Sequence, residues 1–374
     1  MECARVLRRY FSDILSRFVS VRYPARSGLL EGTMTATTAT PARKRSWLAT
    51  ALRNRIVQLG LAVWVGFSAA IPLLASGALP FNQPMLAGLS YRSRVTFEIF
   101  GPAVAFIFIA VAYGLTRRRV VDVAAHAPDR AVALRETIGL LVYGAVVLIA
   151  GQFVGRLIGS HGAGLHLPGS MFGLSDAVTP REALAWALYN FTFYAALPYL
   201  FFRRRGYSRQ QLCLKSSNPL NDALLIAVIL ALGLVFDLPG SGIWRLTAHQ
   251  FALGGALTLA LSLFGTGLPI MIFFTCILVP RYHKLTGSTA ATCVLGGFTY
   301  AAMHLTEYWT RYDSPAHAAL SLIFIVLLFG GPGMVKAYLT LRTGNAWVHL
   351  WGYHVIWPHL TGDTPVFVKI FGIR

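Results

Sequence analysis

Residues 96–115 read TFEIFGPAVAFIFIAVAYGL, a run whose one ionisable side chain is Glu98, and Arg117, Arg118 and Arg119 follow almost at once. At about 1.5 Å of rise per residue, a helix of this length spans about 30 Å, the hydrocarbon thickness of a bilayer. In lipid such a run takes the helical form, because a helix satisfies its backbone N–H and C=O groups internally. The arginines mark where it meets water.

The same pattern recurs along the chain, with apolar runs at 56–78, 138–158, 183–202, 221–239, 259–280, 288–305, 316–340 and 345–361. The stretch 251–280 is longer than one crossing needs. Gly265, Gly267 and Pro269 are expected to break it into an interfacial piece and a crossing helix. The reading is therefore an all-α fold, a polytopic transmembrane helix bundle of about nine spans, eight to ten. Composition agrees: of 374 residues, 55% are hydrophobic and 13% charged, where a soluble domain carries about 25% charged. So much Leu, Phe, Ala and Val excludes disorder over most of the length. The four cysteines, Cys3, Cys213, Cys276 and Cys293, stand in no ligand spacing, which excludes a disulfide scaffold.

The net charge of +19 raises nucleic acid as a partner, but the placement of the bases argues against it. They sit between apolar runs, where loops meet anionic lipid headgroups. With the N-terminus inside, 25 Lys and Arg fall in cytoplasmic segments and seven on the other side, with Arg156 near a boundary. The positive-inside rule thus sets the N-terminus in the cytoplasm. The membrane is read as a plasma (inner) membrane, an organellar one being the alternative. Residues 1–55 hold eleven bases and three acids and no apolar core with a cleavage site, so they read as a disordered cytoplasmic tail rather than a secretory signal. An Arg-rich transit peptide is the alternative, and Met34 is a second candidate start. Residues 56–202 form the N-terminal membrane helices, 203–361 a second membrane domain and 362–374 a short tail. The loop 159–182, with His161 and His166, is expected at the outer surface.

Ionisable groups at membrane depth are costly, so each asks for a reason. Glu98, Asp237 and Lys336 lie near run ends and are expected to reach the interface, Lys336 by extending its stem. His304 and Glu307 stand at i and i+3 and share a face if their helix continues. His354 lies inside the last run. His349 and His359 stand five residues to either side and are expected to point elsewhere, nearer the two interfaces. The residues alone leave several readings open. His304, Glu307 and His354 form a general acid/base or metal site; or the first two are solvated at headgroup level and the third makes an interhelical hydrogen bond.

Several motifs occur in order over 203–360. A basic stretch leads to Gly206-Tyr207-Ser208 and Leu212-Cys213-Leu214, and Pro280–Gly287 reads PRYHKLTG. Tyr300 stands four residues before His304, and Leu341–Trp347 reads LRTGNAW before His354. Together they resemble the CAAX prenyl protease and bacteriocin-processing family of intramembrane proteases, whose members include self-immunity proteins. The resemblance implies that His304 and His354 are the second- and third-motif histidines, and that Pro280–Gly287 is the loop after the first motif. It also exposes a loss. Active members carry Glu-Glu-x-x-x-Arg, which activates water against the scissile amide. Here those positions hold Ile270, Met271 and Thr275, and the polar residue four after the third-motif His is Pro358. No Asp or Glu occurs between Asp237 and Glu307, so a shift of alignment does not restore the pair.

An Ile-Met pair accepts no proton, so the family's general base is missing. The first expectation is a catalytically degenerate member, binding a hydrophobic or prenylated peptide or a membrane-protein partner. The alternative is an active endopeptidase using Glu307 with His304 and His354. A transporter carries the least weight, since few charges line a path. No cofactor is expected; a metal at His304, Glu307 and His354 has no supporting spacing.

Overall fold

A computed structural model describes residues 47–75, 77–83, 88–158 and 178–374. Most of the expected tail and most of the 159–182 loop, including His161 and His166, lie outside them; within the expected disordered tail, Trp47–Leu52 is instead a short helix. Every regular element among the described residues is helical. The longer ones, in chain order, are α1 (Arg55–Ala75), α2 (Tyr91–Thr116), α3 (Arg130–Leu157), α4 (180–204), α5 (Pro219–Asp237), α6 (Ala248–Thr286), α7 (Thr289–Ala302), α8 (Pro315–Thr343) and α9 (347–370).

Six of these, α1, α2, α3, α5, α6 and α8, are long and apolar enough to cross a membrane. Their outward faces carry exposed Val65, Phe100, Val142, Phe153 and Val235. An unpaired apolar surface of this kind is what lipid covers, and the chain is an integral membrane protein. The expected count of about nine is not reproduced. The other three expected spans fall on α4, which carries three Tyr, Asn190 and Pro198, on α7, which is only 14 residues long, and on α9, which carries three histidines and a kink at Trp357.

Helix ends follow the sequence closely. Thr179 and Glu182 form a capping box at the start of α4, and Thr247 and Gln250 form another before α6. Ser288 and Ser314 cap α7 and α8. Gly287 and Gly344 stop α6 and α8 with φ of 62° each, a left-handed conformation that glycine adopts without penalty. Pro280–Gly287, expected as a loop, is instead the last turns of α6 and its cap.

Nor does the helix break at Gly265, Gly267 and Pro269. It widens into π turns at Leu263–Gly267 and Ile270–Leu278 and continues for 39 residues. The glycines serve packing instead. A Cβ on Gly265 would lie 2.0 Å from the Trp186 ring, and one on Gly267 would lie 2.5 Å from Val355. Small residues bring α7 and α8 together in the same way, since a Cβ on Gly333 would meet the Gly296 carbonyl at 2.8 Å. This is how helices pack in lipid, where no hydrophobic force drives them together.

The end of the bundle that carries Arg117–Arg119 is tied by two buried ionic clusters. Arg119 pairs with Asp222 and donates to the Thr343 carbonyl at 2.7 Å, while Asn345 Nδ2 donates to Asp222 at 2.8 Å. Arg281, 1% exposed, donates from Nη2 to Glu136 at 2.6 Å and lies over the Phe202 ring at 4.6 Å.

Candidate functional site

The polar residues of the C-terminal third gather inside the bundle, on α7, α8 and α9 and the turn after α7. That turn makes the first pair. α7 ends at Ala302, and the Glu307 N–H donates to the His304 carbonyl at 3.2 Å. The chain thereby curls back, and the Glu307 carboxylate meets His304 Nδ1 at 2.7 Å. The expected pairing of these residues is present, although a turn produces it rather than a continuing helix. Neither side chain sits in water: His304 is 2% exposed and Glu307 is 4% exposed.

The surroundings hold the imidazole still. The ring of His304 lies flat on Phe329 at 3.5 Å and meets the edge of Tyr300 at 4.7 Å. Tyr300 in turn lies 6.3 Å from the His354 ring, so one aromatic stands between the two motif histidines. Lys336, expected to extend to the interface, is 2% exposed. Its Nζ sits 4.0 Å above the Tyr300 ring and 5.0 Å from Tyr353. At α8's depth the aromatic faces, rather than bulk water, surround this amine. Glu98 is also buried rather than interfacial, with Gln83 beside it and no cation paired to it among the described residues. Asp237 is half-buried and accepts from the Thr361 hydroxyl.

The expectation that His349 and His359 point away from His354 is corrected. The ring centroids lie 6.0 Å apart for His349–His354 and 5.2 Å apart for His354–His359. Leu350–Leu360 is π-helical with a kink at Trp357. A π turn closes i to i+5 and so brings His349 and His354 onto one side, whereas His354 and His359 lie on either side of the non-helical backbone at Trp357, so the kink sets that pair. His359 Nδ1 meets Asp363 at 2.7 Å. The i+5 spacing of three histidines was the available sign in the sequence, but it carries meaning only once the turn type is known.

Ile270, Met271 and Thr275, singled out in the sequence by the resemblance, are all buried on α6. Thr275 donates to the Met271 carbonyl at 2.8 Å and approaches His349 Nδ1 at 3.4 Å. Phe274 stacks at 6.2 Å on Tyr300, so α6 presents this segment to α7 and α9 as an apolar wall. Pro358 lies in the α9 kink, half-buried, beside Trp357, which stacks on Phe108 at 5.6 Å.

Among the described residues no three His, Cys, Asp or Glu side chains lie close enough together to hold a metal ion. Cys213 offers no nucleophile either, although His126 Nδ1 is 3.2 Å from its sulfur. Burial pushes its thiol up to about 12, with Arg281 opposing. A maleimide at pH 8 is therefore expected to leave Cys213 unlabelled in the folded protein and to label it after denaturation, read by peptide mass spectrometry. Rapid labelling of the folded chain would show that this corner opens.

No family model, curated protein or solved structure matches the chain.

Proposed function

We propose that this membrane protein uses the scaffold of the CAAX prenyl protease and bacteriocin-processing family without its hydrolytic step, and holds a hydrophobic or prenylated peptide, or a membrane-protein partner, where active members hold substrate. The observation that carries the reading is the state of the two glutamate positions. Ile270 is 0% exposed and Met271 is 1% exposed, packed in an apolar wall with no group to take a proton from water. The motif histidines remain, one held by Glu307 and an aromatic sandwich, the other beside Tyr300. Such groups bind and orient; a water nucleophile still needs a base.

One observation favours a second reading, the active endopeptidase. Glu307 and His304 form a carboxylate–imidazole pair at 2.7 Å, the arrangement that orients an imidazole for proton transfer. In that reading the pair takes a proton from water as it attacks the scissile carbonyl, and His354 donates to the developing oxyanion.

The full chain in nanodiscs, incubated with a farnesylated CAAX peptide and an unprenylated hydrophobic control, separates the two. The expected result is saturable binding of a fluorescent farnesylated peptide and no cleavage above the protein-free control by mass spectrometry. Cleavage that disappears in Glu307→Gln would overturn the proposal and establish the second reading. The proposed orientation sets the N-terminus and the Arg117–Arg119 end in the cytoplasm.

A further inference from the structure

The polar residues of α9 form more than a site; they form a line through the bundle. At the basic end Asn345 is bonded to Asp222. One turn on comes His349, whose Nδ1 is 3.4 Å from Thr275 Oγ1. His354 follows with its ring 6.0 Å from His349, then His359 at 5.2 Å, whose Nδ1 meets Asp363 at 2.7 Å. Beyond Asp363, the half-buried Asp237 and Thr361 close the other end. From 345 to 363 a helix rises at most about 27 Å, against about 30 Å of hydrocarbon.

Two further facts turn the line into a path. His349, His354 and His359 are 0%, 1% and 7% exposed, at a depth where polar groups are expensive. Yet both nitrogens of His354, and Nε2 of His349, have no hydrogen-bond partner among the described residues. A buried imidazole left so is rare, and ordered water is the usual partner. Grouping for a metal is absent among the described residues, and the rings stand at separations that one bridging water closes.

We propose that His349, His354 and His359 conduct protons across the membrane, with Asp363 and Asp237 at one end and Asp222, which Asn345 holds in place, at the other. A proton taken by one imidazole nitrogen is matched by release of the proton on the other, so each ring returns to neutrality after a 180° exchange of tautomer and nothing is consumed. The proton passes between rings through a bridging water and reaches the carboxylate pair at the far end. Lys336 stands beside the line, against Tyr300 and Tyr353. The path does not depend on peptide binding or cleavage, so it stands or falls separately from the reading above.

The full chain reconstituted in liposomes, with a trapped pH dye and a potassium diffusion potential set by valinomycin, tests it. Inward proton flux at least tenfold above protein-free vesicles is expected. His354→Gln and His359→Gln each should remove nine-tenths or more of the excess, because an amide keeps a hydrogen bond but does not exchange its protons in this way. Melting curves and elution profiles like those of the unaltered protein confirm that both variants fold. Flux equal to protein-free vesicles would overturn the proposal, as would excess flux that persists in both folded variants.

Discussion

Replacing Arg281 by Ala is expected to destabilise the folded protein by about 3–5 kcal/mol, the usual cost of removing one member of a buried ion pair. Arg281 donates to Glu136 from Nε at 2.9 Å and from Nη2 at 2.6 Å, and to the Ile277 carbonyl from Nη1 at 2.7 Å. Without it, the Glu136 carboxylate stays in the interior with only the Tyr207 hydroxyl at 3.0 Å and the exposed Arg205 at 3.6 Å. Those two contacts set the loss nearer the lower figure. The desolvation penalty, rather than the lost attraction, makes the effect large. A double variant, Arg281→Met with Glu136→Leu, should therefore recover most of the stability, since it removes both buried charges and keeps the volume. Thermal melting in detergent, followed by Trp fluorescence, reads all three proteins. A double variant no more stable than Arg281→Ala would show that the cluster acts through shape and not through charge.

The second large effect is expected at Gly265. Its absent Cβ is the space that Trp186 occupies, with ring atoms Cζ3 and Cη2 at 2.0 and 2.2 Å from where a Cβ would stand. Trp186 is 2% exposed, so its rigid ring has nowhere to withdraw, and α6 is also tied here by Asn190 Nδ2 donating to the Gly265 carbonyl at 3.0 Å. Gly265→Ala should then cost about 3 kcal/mol, the upper part of the range for overpacking. In a Trp186→Ala background the same change should cost nearly nothing, because the obstructing ring is gone. The coupling between the two positions, measured by a melting-based double-mutant cycle, is expected to be of the same size as the single effect. Additive losses would mean that the helices do not meet at this point.

The membrane character was legible from end to end, because it depends on composition and run length: 96–115 needs no neighbour to be read as a spanning helix. The i, i+3 spacing of His304 and Glu307 placed them near one another, although the turn after α7 and not a continuing helix joins them. Lys336 was misread for a physical reason. A lysine near the end of an apolar run reaches water if its helix edge faces lipid or solvent, and this one faces Tyr300 and Tyr353 instead. Which way a helix edge faces is a property of the whole bundle.

The histidines of α9 make the same point more sharply. Five-residue spacing on an α-helix separates His349, His354 and His359, and nothing in those residues announces a π turn. Its cause is packing: Gly352 lies against the Ile226 backbone of α5, Gly267 of α6 admits Val355, and Trp357 fills the space that Gly233 leaves open. Local residues and elementary solvation therefore determined that this chain is a helical membrane protein with a basic side and few interior charges. Only tertiary structure decided where those charges go, because a buried polar group finds its partner across helices distant in sequence, and the helices bend and widen to meet it.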